Sequence, residues 1–151
     1  MQITLKLLKS MKAYKDILTI FKKEWPLGTA HLEEVFKYLD SKHRDDRINW
    51  LFKNLLGDIN ENLAYFKDCK NLRYLYLRDT HVNDTGLTYF KNCKNLISLN
   101  LDNTKISDIG LAHFIKYKNL TYLYLANTQI SDTLLTHFKK IHPHIKVYKN
   151  D

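Results

Sequence analysis

From Asn71 to His142 the apolar positions fall in the same order three times, at a period of 24 residues. The copies read NLRYLYLRDTHVNDTGLTYFKNCK, NLISLNLDNTKISDIGLAHFIKYK and NLTYLYLANTQISDTLLTHFKKIH. Leucine recurs at Leu72, Leu96 and Leu120, three residues on at Leu75, Leu99 and Leu123, and two further on at Leu77, Leu101 and Leu125. That spacing passes to period two at its end, which predicts a short strand with one buried face. Thr80, Thr104 and Thr128 follow, where a buried hydroxyl can bond backbone groups left open as the chain turns off the strand. Val82, Ile106 and Ile130 then point inward. Asp84, Asp108 and Asp132 stand just before a helical stretch, as expected of capping carboxylates. Leu87, Leu111 and Leu135 with Phe90, Phe114 and Phe138 make an i, i+3 stripe, and Cys93, Tyr117 and Ile141 close it. Leu134, where the other copies have Gly86 and Gly110, is the main departure.

One strand and one short helix cannot bury their own apolar faces, so the copies must stack and share a core. The expected architecture is an α/β solenoid with a concave parallel sheet, convex helices and an N-terminal helical cap. In-register stacking should align Tyr74 with Ser98 and Tyr122, and Tyr76 with Asn100 and Tyr124. Ile145, Val147 and Tyr148 predict a closing edge strand guarded by Lys146 and Lys149. On the other side Ile59, Leu63, Phe66 and Cys69 match the second half of a repeat with one residue deleted.

Three helical patterns precede that half-repeat: Met11, Tyr14, Leu18, Phe21; Leu32, Val35, Phe36, Leu39; and Ile48, Leu51, Phe52, Leu55, Leu56 ending at Gly57. Thr29 is the expected N-cap of the second, with Glu33 and Glu34 in its first turn. Residues 1–57 are therefore expected to form the helical cap. Residues 58–151 would be the solenoid: one partial repeat, three full repeats and the edge strand.

Over residues 59–148 the pattern resembles the leucine-rich-repeat superfamily, in particular bacterial arrays written L-x-x-L-x-L-x-x-T-x-[IV]-x-D-x-G-L, related to ribonuclease-inhibitor-like repeats. The resemblance implies a module that binds another protein through its concave strand face. Leu27, Leu32, Val35, Phe36, Tyr38, Leu39 and Asp40 also resemble the first helix of an F-box, which implies a ubiquitin-ligase substrate adaptor. Pro26 precedes Leu27 rather than following it, however, and Arg44, Asp45 and Arg47 occupy positions that are apolar in that family.

Composition changes the picture little. No run reaches the roughly 18–20 apolar residues of a membrane-spanning helix, and the lysine-rich start reads as no secretory signal, so a cytoplasmic location is expected. Cys69 and Cys93 occupy one column of neighbouring repeats and are expected to be buried thiols. Phosphate loops, paired-histidine zinc motifs, C-x-x-C and G-x-S-x-G are all absent, so no enzymatic activity, metal or cofactor is expected. His142 and His144 alone offer too few metal donors. The net charge of +8 permits an anionic partner. Lys67, Lys91 and Lys139 share one column, and Lys70, Lys94 and Lys118 another. Stacking would align them into a convex basic stripe, the basis for an alternative function as a nucleic-acid or membrane-surface binder.

The candidate partner-binding residues are those that alternate with the buried leucines or follow them on the same side: Tyr74, Tyr76, Arg78, Ser98, Asn100, Asp102, Tyr122, Tyr124 and Asn127. Tyrosine offers a large contact area at small entropic cost, and serine and asparagine adapt their hydrogen bonds.

Overall fold

A computed structural model describes residues 2–13, 15–42, 63–64, 66–67 and 69–149. Four short strands, β3 (Tyr74–Tyr76), β4 (Ser98–Asn100), β5 (Tyr122–Tyr124) and β6 (Lys146–Tyr148), form one parallel sheet in that order. Their register places Tyr74, Ser98, Tyr122 and Lys146 in one row, Leu75, Leu99, Leu123 and Val147 in the next, and Tyr76, Asn100, Tyr124 and Tyr148 in the third. The repeat period is therefore the stacking period, and the first and third rows meet the expected alignment. Between strands run α4 (Asp84–Leu87), continued by a 3-10 turn at Thr88–Phe90, then α5 (Asp108–Ala112) and α6 (Asp132–Ile141). The leucine columns, the inward Val82, Ile106 and Ile130, and Phe90, Phe114 and Phe138 are buried in one hydrophobic cluster.

The first three of these strands, β3, β4 and β5, end in the same turn. The hydroxyls of Thr80, Thr104 and Thr128 donate to the carbonyls of Leu77, Leu101 and Leu125, at 2.6, 2.5 and 2.7 Å. The residue before each threonine is left-handed: φ is +58° at Asp79, +55° at Asn103 and +52° at Asn127. Asp and Asn tolerate this region because their short polar side chains bond locally. Here they bond one another across repeats, Asn127 Nδ2 donating to Asn103 Oδ1 and Asn103 Nδ2 to Asp79 Oδ1.

The repeat aspartates do not cap their own helices. Asn83, Ser107 and Ser131 are the N-caps. Asp84 instead accepts the backbone N–H and hydroxyl of Ser107 in the next repeat, and Asp108 does the same with Ser131. Asp132 is met by a lysine instead of a serine. Lys149 turns back to it, donating to Asp132 Oδ1 at 2.9 Å and to the Ile130 carbonyl at 2.8 Å, rather than guarding the strand edge. The hydrogen bond and charge of Lys149 hold the Asp132 carboxyl below its ordinary range.

The clamp leaves no room for a side chain at Gly110, although Leu134 is accommodated at the equivalent position beside the Asp108–Ser131 pair. A Cβ on Gly110 would collide with Asp84 Oδ1 and stand 3.1 Å from Asp84 Cα. Gly110→Ala is expected to cost about 1–3 kcal/mol. Asp84→Ala, which strips the Ser107 N–H of its acceptor, should cost about as much. Combined, the two should cost less than their sum, because the truncated carboxylate no longer meets the added methyl. Additivity within about 0.5 kcal/mol in denaturant titrations would rule the steric account out.

The closing column also shifts. Cys93 Sγ approaches the Phe66 carbonyl at 3.7 Å and Tyr117 Oη donates to that of Phe90. In the third repeat the corresponding bond comes from His142, whose Nε2 lies 2.6 Å from the Ile115 carbonyl, whereas Ile141 is 44% exposed. The third helix is a continuous ten-residue α-helix where the first tightens into a 3-10 turn, so its final turn delivers the next residue inward. Both cysteines are buried, and burial, reinforced by the charge of Asp40, pushes the Cys93 thiol up to about 12. Labelling by a thiol reagent should therefore be slow until the chain unfolds; rapid native-state labelling of either thiol would contradict their place in the core.

The N-terminal residues are less purely helical than expected. β1 (Gln2–Thr4) pairs antiparallel with β2 (Thr29–His31), enclosing α1 (Leu5–Ser10) and α2 (Lys15–Glu24). The first helical pattern is thus broken, with a left-handed Lys12 (φ +53°) between its parts. Thr29 lies in β2 and is no N-cap. That position belongs to His31, which precedes α3 (Leu32–Ser41) and whose N–H donates to Glu34 Oε2. Leu8, Ile17, Phe21, Leu32, Val35 and Leu39 join the same cluster as the repeat leucines. Asp40, buried on α3, accepts both the backbone N–H and Nδ2 of Asn71, tying this segment to the first repeat. The expected helix over Ile48–Leu56, the start of the half-repeat at Ile59, and Arg44, Asp45 and Arg47 lie outside the described residues. Leu63, Phe66 and Cys69 of the half-repeat are buried.

Candidate partner-binding face

The strands are only three residues long, so each sends two side chains to the face opposite the leucines. Tyr74, Tyr76, Ser98, Asn100, Tyr122 and Tyr124 accordingly share one surface, joined by Lys146 and Tyr148 of β6. Tyr76 and Tyr148 are 48% and 45% exposed, while Tyr74, Tyr122, Tyr124 and Asn100 are half-buried. Tyr124 and Tyr148 stack face to face, 4.6 Å between centroids and 9° between planes. The Lys146 ammonium lies 5.5 Å from the Tyr122 ring centre and the Arg73 guanidinium 5.7 Å from that of Tyr74. Such cation–aromatic pairs hold flexible cations against the sheet while leaving their charge at the surface.

The remaining candidates occupy the turn beyond the strands, and two of the nine are not surface groups. Ser98 is 5% exposed, a small side chain in register between two tyrosines, so it floors the trough rather than rimming it. Asp102 is 8% exposed and its Oδ1 accepts the Ala126 N–H at 2.8 Å. Its own N–H donates to Asn100 Oδ1, so both polar side chains brace the turn. Arg78 is exposed, with Nε 3.3 Å from Asp79 Oδ2 and Nη1 3.9 Å from Asp102 Oδ2. Asn127 is exposed at the end of the left-handed amide ladder.

Two contributors went unforeseen. Tyr148 was expected only as part of an edge strand, yet register puts it at the end of the Tyr76–Asn100–Tyr124 row. Arg73 belongs to the adjacent shelf, a cleft of about 340 Å3 lined by Asn71, Arg73, Asn95, Ile97, Asn119 and Thr121. The recurrence of asparagine at 71, 95 and 119 was a signal in the sequence for that shelf.

The face offers broad aromatic contact, cations at both ends and hydrogen-bonding groups in its centre. Among the described residues no cluster of three or more His, Cys, Asp or Glu side chains could hold a metal ion. No helix among them is long and apolar enough to cross a membrane. The helical side carries the expected lysines, with Lys67, Lys70, Lys91, Lys94, Lys118 and Lys139 all exposed.

Known proteins bear on the fold. Residues 64–130 match the family model for the leucine rich repeat. No curated protein sequence matches the chain. Among solved structures, it is similar to leiomodin-1 actin-binding site 2 (ABS2), with 16% identity, coverage of 81% of each chain and a TM-score of 0.55.

Proposed function

We propose that this chain, a member of the leucine-rich-repeat superfamily, is a non-enzymatic module that binds another protein on the open face of its β3–β6 sheet. The observation that carries the reading is the row Tyr76–Asn100–Tyr124–Tyr148 beside the row Tyr74–Ser98–Tyr122–Lys146. Five tyrosines gathered on one small sheet, two of them nearly half exposed, suit an aromatic interface core better than a solvated surface. The superfamily resemblance favours protein binding, and the structurally similar leiomodin-1 region is named for binding actin. In this reading the sheet is the concave side of a short solenoid.

Residues 1–57 are its N-terminal cap and residues 58–151 the solenoid proper. The continuous core and the Asp40–Asn71 bonds support that division of labour. A 58–151 fragment should expose apolar core and aggregate. A soluble fragment that unfolds cooperatively would mark the first 57 residues as an independent module. The adaptor alternative draws no support from α3, which commits Leu32, Val35 and Leu39 to the shared core.

Affinity capture on the whole chain, with and without nuclease and at low and high salt, tests the function. One protein retained at high salt is the expected result, and purified actin is a defined bait to try alongside. Recovery that depends on nucleic acid and vanishes at moderate salt would transfer the function to the exposed lysines of the helical side.

A further inference from the structure

Beside the ends of α5 and α6, Ile115, Lys116, Lys118, Ile141, His142 and His144 line an open cleft of about 490 Å3. Its size falls within the range of roughly 300–1,000 Å3 typical of small-molecule sites. The cleft shares no residue with the tyrosine face and does not depend on the function proposed for that face.

The column shift in the third repeat shapes it. Because His142 takes the buried position, Ile141 is left 44% exposed at the cleft and Ile115 is half-buried there. The His142 ring is fixed: its Nε2–H goes to the Ile115 carbonyl, Phe138 packs at 5.0 Å and His144 stands edge-on at 5.9 Å. Lys116 and Lys118 are exposed and, among the described residues, make no ion pair. The lining side chains thus supply ammonium groups, imidazoles and isoleucines, with no carboxylate, amide or hydroxyl among them.

This donor-rich, apolar lining selects its ligand by chemistry. A peptide would bring backbone N–H groups into a site with few side-chain acceptors, and buried donors left unsatisfied are costly. A nucleic acid would use the lysines but leave the isoleucines without a partner. A metal ion would have only two imidazoles, one already committed through Nε2. An unbranched hydrocarbon ending in a carboxylate brings only acceptors at one end and only apolar surface elsewhere. We propose that the cleft binds such an amphiphilic carboxylate, its chain against Ile115 and Ile141 and its head between Lys116 and Lys118.

Calorimetric titration of the whole chain tests this directly, with decanoate and decyltrimethylammonium below their micelle concentrations and decanol below its solubility limit. Decanoate should bind saturably at one site, decanol about tenfold more weakly or worse, and the cation not at all. Ile141→Ser and the pair Lys116→Gln, Lys118→Gln alter exposed side chains and should each weaken decanoate about fivefold or more while leaving the thermal midpoint near its native value. In the unsubstituted chain, decanoate should shift the Ile115 and Ile141 methyl resonances. Absence of saturable decanoate binding, equal affinity for the three head groups, or full affinity in both variants with unmoved methyls would overturn the assignment.

Discussion

Replacing Leu99 with alanine is expected to lower the free energy of unfolding by about 2–5 kcal/mol. Leu99 is fully buried at the centre of β4, in register between Leu75 and Leu123. Truncation removes the transfer energy of the lost carbons and opens a cavity that the neighbours cannot easily close. Both neighbours are themselves held in the leucine row, and the strands on either side are fixed by their ladder bonds. Each repeat leans on the next, so the loss should move the whole denaturation transition to lower denaturant with an unchanged slope. Ile109→Ala provides the contrast: Ile109 is 72% exposed, and its loss should change stability by no more than about 0.5 kcal/mol. A Leu99→Ala chain as stable as the parent would mean that the leucine columns are not the shared core.

The repeat was legible because burial repeats with the sequence. A position that faces the core in one copy faces it in the next, and the leucine, threonine and phenylalanine columns report that directly. Strand register followed for the same reason: Tyr76, Asn100 and Tyr124 share a column and therefore a row. What escaped was contact between copies. An aspartate before a helix reads as a cap, and only the neighbouring Ser107 or Ser131, 23 residues away, shows that its carboxylate is used across the interface.

The exchange of Ile141 for His142 depends on whether a helix closes as α or 3-10, a difference of about one residue that apolar periodicity does not resolve. Ser98 and Asp102 alternate or align as surface positions do, yet Ser98 is overshadowed by large neighbours and Asp102 turns inward to accept the Ala126 N–H. β1 and β2 are three residues each and more than twenty apart, too short for either periodicity to register. Thr29 is an apt capping residue by type, but the strand pairing claims it.

The tyrosine face is the centre of the functional account, and one measurement addresses it most directly: the affinity of the captured partner for the chain carrying Tyr76→Ala and Tyr124→Ala together. Both side chains stand opposite the leucine core, so the fold should persist, as the leucine row is untouched. Aromatic anchors at the middle of an interface commonly account for about 2 kcal/mol or more when truncated. The expected result is therefore an affinity loss of about thirtyfold or greater. Replacing Lys70, Lys94 and Lys118 with Glu on the helical side should change it little. Unchanged affinity in the doubly substituted chain, with a large loss in the lysine variant, would contradict the account and place the interface on the basic helical side.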